Sequence, residues 1–500
     1  MSTQDALPVA KRWLETCVEN HKTCHSLDNM HTPTRLLHLS GKELRLSLAS
    51  ERVERVDYAT LSHCWGSLPF QTLKKSNLND FRQSIPPEAL PKTFQDAIHT
   101  ARCLGLEYLW IDSLCIIQDD DEDWRKEASL MSSVYGGSSI NISASNATDG
   151  RFGCFQKRDS SWRCQVLIDH ANPPLIYDCI PSSAYRTLLD SPLATRGWVL
   201  QERVLSRRNL HFTKKEIFWE CEESVVCETF PEVVQPLLDG YFRLIHRPIK
   251  MQQWPEIIEQ YSRCKLTYSK DKLIAVSGLA RIVHKDCNDE YVAGMWRQNL
   301  EMQLPWYTYT PAPRLSPYAA PSWSWASSRS QIHFLASQQP HQQKLLATVQ
   351  DYKAECVSPD LFGELRSANL RLCCEYLVCA IIKNCELYPS VDIDGKPCGI
   401  DAKFDCLDIE KEKSIEAYIL PIVAGSGEPI FEFLFGVLVV PTGKAKGQYQ
   451  RIGQFGLIGE ERKRAFSAFF KQYRGQLDNS EFVEVKIEAN NIKRYVTDII

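Results

Sequence analysis

The stretch that decides the fold opens with Asp57-Tyr-Ala-Thr-Leu-Ser-His63 and closes with Ser138-Ser-Ile-Asn-Ile-Ser143. The first segment reads as a strand ending at Cys64-Trp65-Gly66. Thr93 then opens a helix: its hydroxyl is placed to cap the start, and Asp96, three residues on, faces the exposed amides. Ala97, Ile98, Ala101 and Leu104 form the buried stripe of that helix, and Gly105 ends it. Tyr108–Ile111 is a short apolar strand ending at Asp112. The acidic run Asp119–Asp123 complements the amino-terminal dipole of a second helix. On that helix Trp124, Ala128, Met131 and Tyr135 fall at spacings of four, three and four, and Gly136-Gly137 stop it. Ser138–Ser143 is the third strand. Strand, helix, strand, helix, strand at these lengths predicts right-handed crossovers and a parallel sheet.

Outward from this core, Val9, Trp13, Cys17 and Val18 predict a helix within Ala6–Cys24, followed by strands at Arg35–His38 and Leu44–Leu48. Beyond Ser143, the turn-rich stretch Asn146–Thr195 reads as an insertion, Arg196–Leu205 as a helix, and Leu210–Phe212 with Ile217–Trp219 as a hairpin about Lys214-Lys215. Tyr261–Val283 reads as helical, Pro305–Pro321 as a loop, and Ser330–Pro340 as a polar, mobile connection. Strand signals dominate from about Lys344, including the buried run Phe431–Val440, until a helix near Glu460–Tyr473. No internal repeat stands out. The resulting division is 1–55 (helix and lead-in strands), 56–225 (α/β core with an insertion at about 146–195), 226–329 (helical extension) and 330–500 (strand-rich α+β region).

The 500 residues are 44% hydrophobic and 24% charged, with a net charge of −4. No basic field is available for a phosphate backbone, so no nucleic-acid partner is expected. The start MSTQDALPVAKRW lacks the charge and apolar run of a secretory signal, and no run approaches the ~20 apolar residues of a spanning helix. A cytoplasmic protein without a membrane span is expected. Its 19 cysteines are then reduced thiols, mostly small buried hydrophobes. Cys17, Cys24 and His25 lie near one another, but no second ligand pair follows at zinc-finger spacing, and no metal is expected.

Three blocks carry a resemblance: Leu61-Ser-His-Cys-Trp-Gly66; Trp110-Ile-Asp-Ser-Leu-Cys-Ile-Ile-Gln-Asp-Asp120 continuing through Trp124, Glu127, Met131 and Tyr135; and Arg196-Gly-Trp-Val-Leu-Gln-Glu202 with Arg207. In this order they resemble the signature of the fungal heterokaryon-incompatibility (HET) domain. Asp271-Lys-Leu273, Ser277-Gly-Leu-Ala280 and Pro321-Ser-Trp-Ser-Trp-Ala-Ser327 resemble stretches that follow it, so the likeness covers about Ala6–Ser327. His63 stands where the family more often has tyrosine, and Ser113 where alanine is common. The resemblance implies self/non-self recognition and regulated (programmed) cell death, with other incompatibility proteins or self-association as partners. It also implies a distant likeness to Toll/interleukin-receptor (TIR) domains, hence a TIR-like (flavodoxin-like) parallel sheet. Some TIR domains cleave the nicotinamide–ribose bond of NAD with one glutamate four positions after a tryptophan; Trp198 and Glu202 have that spacing on one helical face.

On that comparison Glu202 is the candidate catalytic carboxylate, stabilising the positive charge that builds on the ribose as the bond breaks. Ser62, Cys64, Trp65, Gly66, Asp112, Arg196, Trp198 and Gln201 are candidate substrate-binding residues, because ligands of parallel sheets sit outside the strands' carboxyl ends. NAD is the implied substrate, and no cofactor is implied. The expected geometry is a solvent-reachable hollow beside Ser62 and Asp112 into which Glu202 projects. The competing reading is a packed helix with Glu202 paired to an arginine such as Arg207, Asp112 as a strand-end acceptor and Trp65 in the core. A thiol reading pairs His63 with Cys115, since His63 and Cys64 point to opposite faces of a strand. Three functions follow: a death effector cleaving NAD, a non-enzymatic interaction platform, and a small-molecule metabolic enzyme using the same pocket.

Overall fold

The computed structural model describes residues 3–25, 32–41, 43–52, 54–156, 164–169, 173–179, 188–232, 249–335, 342–383, 390–393, 396–397, 400–406, 414–427, 431–459, 481–487 and 493–500. The helix expected at Glu460–Tyr473 and residues 336–340 of the polar segment lie outside them. The chain divides into two compact units, Met1–Ile249 and Lys250–Ile500.

The first unit is built on one mixed sheet. In chain order its elements are α1 (Leu7–Asn20), β1 (Arg35–His38), β2 (Arg45–Leu48), β3 (Tyr58–Ser62), α2 (Leu78–Gln83), α3 (Lys92–Cys103), β4 (Tyr108–Trp110), α4 (Asp112–Cys115), α5 (Asp121–Gly137) and β5 (Ile140–Ser143). After the hairpin β6 (Cys164–Ile168) and β7 (Leu175–Cys179) come α6 (Gly197–Leu205), β8 (Arg208–Phe212), β9 (Ile217–Cys221) and β10 (Val225–Cys227). The strand order is β10-β9-β8-β5-β3-β4-β1-β2. β8, β5, β3 and β4 are mutually parallel, as the alternation of strands and helices predicts, while both edges are antiparallel. β3 lies between the strand that follows it and the third parallel strand. The crossovers therefore diverge between β3 and β5, which makes that gap the topological switch point.

The central strands are buried on both faces, yet their faces differ. Ala59, Leu61, Ile140, Ile142 and Leu210 form an apolar face; Thr60, Ser62, Asn141, Ser143, Asn209 and His211 form a buried polar one. Asp120 caps α5, its carboxylate accepting from the amides of Glu122 and Asp123. Thr93 and Asp96 do not cap α3, which begins at Lys92. The Thr93 hydroxyl donates to Gly150 O at 3.1 Å, and the Asp96 carboxylate accepts from the amides of Cys154 (2.9 Å) and Phe155 (3.2 Å). Both side chains tie down the segment that leaves β5. In α1 the buried stripe is Leu7, Ala10, Trp13, Leu14 and Cys17; Val18 is exposed.

The second unit opens with α7 (Trp254–Ser262) and α8 (Ser277–Cys287), separated by the 3-10 turns Ser269–Lys272 and Ile274–Val276. The single helix expected over Tyr261–Val283 is thus broken. The Tyr261 hydroxyl donates to Lys272 O at 2.6 Å, a contact that a continuous helix rising ~16 Å over that span forbids. From Gln342 the described strands form one predominantly antiparallel sheet, with Phe431–Pro441 between Ser414–Gly427 and Gln448–Ile458. Arg451 is fully buried in this unit, 2.7 Å from Asp405 and 3.7 Å from the Trp306 ring centroid.

Candidate functional site

Helix α6 lays its polar side chains on the polar face of the sheet. The Ser62 hydroxyl, at the carboxyl end of β3, donates to Glu202 Oε2 at 2.5 Å. Ser62 also lies 3.2 Å from Asn141 Oδ1, which accepts from Thr60 at 3.1 Å. Asn141 Nδ2 donates to Asn209 Oδ1 at 3.0 Å and to the Ser143 hydroxyl at 3.2 Å. Glu202 thus ends a hydrogen-bonded row that crosses three parallel strands at the switch point. In so dry a setting each polar group depends on its neighbours, and the row is correspondingly rigid. Burial pushes the Glu202 carboxyl up to about 7, against the Arg196 charge and the hydroxyls of Ser62 and Tyr135; the Asp112 charge adds to the rise. Glu202 does not face open solvent. It is 4% exposed, because α6 packs its inner face directly on Ser62.

The other expected residues form a rim of mixed exposure. The Trp65 indole N–H donates to Asp112 Oδ2 at 2.8 Å, which fixes a half-buried ring beside the carboxylate. Asp112 also holds the first turn of α4 through the Ser113 amide at 2.7 Å. Arg196, immediately before α6, donates to His63 O. Gly66 is exposed with φ +70°; the group that comes close to it is Asp149, whose Cβ would lie 2.3 Å from an added Cβ. Trp198 stacks edge-on against Trp124 of α5, with ring centroids 6.2 Å apart. Gln201 and Cys64 are buried. Arg196, not Arg207, is the cation whose charge acts most on Glu202. The thiol reading fails on ionisation: burial pushes Cys115 up to about 12 and His63 down to about 4, which leaves a neutral thiol.

Residues 58–202, from the first residue of β3 to Glu202 itself, match the family model for heterokaryon incompatibility protein (HET). The chain carries a HET domain. Comparison with curated proteins and with solved structures gives no match.

The HET domain and the strands that complete its sheet hold further polar groups that spacing alone does not single out. Arg203 grips Glu220 of β9 with two hydrogen bonds at 2.7 and 3.1 Å, and His211 Nε2 lies 3.1 Å from the same carboxylate. Burial alone would raise Glu220, but Arg203 and His211 outweigh it and hold it well below the usual carboxylate range. The signal for this row was available: Thr60-Leu-Ser62, Asn141-Ile-Ser143 and Asn209-Leu-His211 alternate in strands that flanking helices bury on both faces, where near-continuous apolar runs are the norm. Away from it, ligand atoms of Cys17, His21, Cys24 and Cys221 lie within 4.8 Å of one another.

Proposed function

We propose that this chain is a cell-death effector of heterokaryon incompatibility whose HET domain holds a latent NAD-cleaving site, with Glu202 as its catalytic residue. The observation that carries the reading is the placement of Glu202 on Ser62 at the switch point, where burial raises its carboxyl above the ordinary range. The order of the four parallel strands (second, first, third, fourth) is that of flavodoxin-like sheets and supports the TIR-like reading. In the proposed reaction the bond between the ribose carbon and the pyridinium nitrogen breaks, and nicotinamide leaves neutral with the electron pair. The Glu202 carboxylate stabilises the ribosyl cation. Water then adds to the sugar and passes a proton to the carboxylate, giving ADP-ribose. Trp65 offers the stacking surface, and Arg196 supplies positive charge beside the site. Because Glu202 is buried, the proposal requires self-association or another incompatibility protein to part α6 from the sheet. We place this activity in the cytoplasm, where thiols stay reduced; no described helix is long and apolar enough to cross a membrane.

The test is NAD consumption by the concentrated full-length chain, followed chromatographically. Wild type is expected to consume NAD, and Glu202→Gln to lose at least about a hundredfold in rate, the scale of a positioned acid–base group. Equal consumption by both proteins sinks the proposal. A second reading, a non-enzymatic platform, is favoured by a different observation: the β6–β7 hairpin exposes Leu167, Ile176 and Tyr177. Killing by Glu202→Gln at the wild-type level, with no NAD loss in either protein, selects the platform.

A further inference from the structure

α1 and strand β9 meet in a cluster of soft ligands outside the site above. Cys17 lies in the last turn of α1, His21 caps its end, Cys24 follows in the short turn Thr23–His25, and Cys221 ends β9. All three cysteines are free and buried. Their sulfurs and an imidazole nitrogen lie within 4.8 Å of one another, and Cys221 Sγ is 3.3 Å from His21 Nδ1 across 200 positions of sequence. A tetrahedral zinc ion with bonds of ~2.3 Å to sulfur and ~2.0–2.1 Å to nitrogen spaces its ligands about 3.5–3.8 Å apart. We propose that Cys17, His21, Cys24 and Cys221 bind a structural zinc ion.

Three observations converge on that assignment. The donor set is closed: three sulfurs and one imidazole fill a tetrahedron, and soft thiolates select zinc over the hard oxygen-seeking ions. The geometry is built from both sides. The four-residue spacing on α1 puts Cys17 and His21 on one face, and the Thr23 amide and hydroxyl both donate to Glu223 Oε1, at 2.6 and 2.7 Å, locking the Cys24 turn to the β9–β10 connection. The third observation is Arg208, 6% exposed, whose Nε donates to Cys17 Sγ at 3.1 Å and whose Nη2 donates to Cys24 O at 3.1 Å. Among the described residues no carboxylate pairs with this guanidinium, and a buried cation without a counter-charge is costly. Three thiolates on one divalent ion carry a net single negative charge, so the metal centre supplies the missing partner. Arg208 in turn orients and neutralises a thiolate ligand, as outer-shell groups do around metal sites. The ion would clamp the helix that precedes the matched domain to a strand that follows it.

The test is the metal content of the full-length chain, purified in a phosphine reductant without chelator and measured by plasma mass spectrometry. The expected result is about one zinc per chain, falling to background in Cys17→Ser and in Cys221→Ser and unchanged in Cys287→Ser, a cysteine of the other unit. If the serine variants fail to fold, wild type decides alone. Replacement by cobalt should bring the visible bands of a tetrahedral thiolate site, and an organomercurial should release the zinc to a chromogenic chelator. Wild type that holds no zinc after reconstitution with zinc chloride, or that keeps its zinc in a soluble Cys221→Ser variant, overturns the proposal. So does a Cys17–Cys221 or Cys24–Cys221 disulfide in the freshly purified chain. None of these outcomes depends on whether the chain cleaves NAD.

Discussion

Replacing Glu202 by glutamine should stabilise the first unit at neutral and alkaline pH and leave it little changed in mild acid. Burial raises the carboxyl from its ordinary 4.5 to about 7, a displacement that corresponds to about 3 kcal/mol. The sign follows from proton counting. Between those two values the folded state keeps the Glu202 proton while the unfolded chain has released it, so stability falls as pH climbs toward 7 and stays lower above it. Glutamine keeps an oxygen to accept from Ser62 and carries no such penalty. Urea unfolding followed by tryptophan fluorescence, with hydrogen exchange of the β3 and α6 peptides to identify the transition, reads the difference. At a slope of about 2–3 kcal/mol per molar, the midpoint of Glu202→Gln should exceed that of wild type by ~1 M at about pH 8, and the gap should shrink toward about pH 5. A gap that stays constant across that interval refutes the burial argument.

Glu220→Gln removes the carboxylate that the half-buried Arg203 grips and should cost about 2 kcal/mol in urea titrations near neutrality. Because Arg203 and His211 depress Glu220, wild type should lose this stability as pH falls below the ordinary glutamate range, whereas the variant should lack that acid limb. Gly66→Ala forces a side chain into left-handed backbone 2.3 Å from Asp149 Cβ; a loss of stability greater than the ~1–2 kcal/mol of the backbone term alone, read from urea unfolding, is expected. In the second unit, Arg451→Met strands a buried Asp405 and should cost about 3–5 kcal/mol, while adding Asp405→Leu should recover most of it in a double-mutant cycle.

The regular elements of the first unit were legible because their causes are local. Ala97, Ile98, Ala101 and Leu104 announce α3 by spacing, Gly136-Gly137 end α5, and two glycine-free apolar runs separated by such helices leave a parallel sheet as the natural arrangement. The hairpin about Lys214-Lys215 was equally visible. The Trp198–Glu202 spacing marked the right helix, but not which way its carboxylate turns. That direction depends on Ser62, 140 positions earlier in the chain and brought to it by the sheet. The same limit explains Thr93 and Asp96, which look like caps in sequence and bind the segment after β5 in the fold.

Sequence by itself therefore determined the parallel strands β3, β4 and β5, the helices α3 and α5 between them, and the three blocks that mark the HET domain, because periodicity and turn chemistry act over a few residues. Tertiary structure alone decided that Glu202 is buried rather than open, that Asn141 links Ser62 to Asn209, and that Cys221 joins Cys17, His21 and Cys24. Those partners are selected by which strands lie side by side, and strand order is a global balance of burial and chain crossing that no local spacing records.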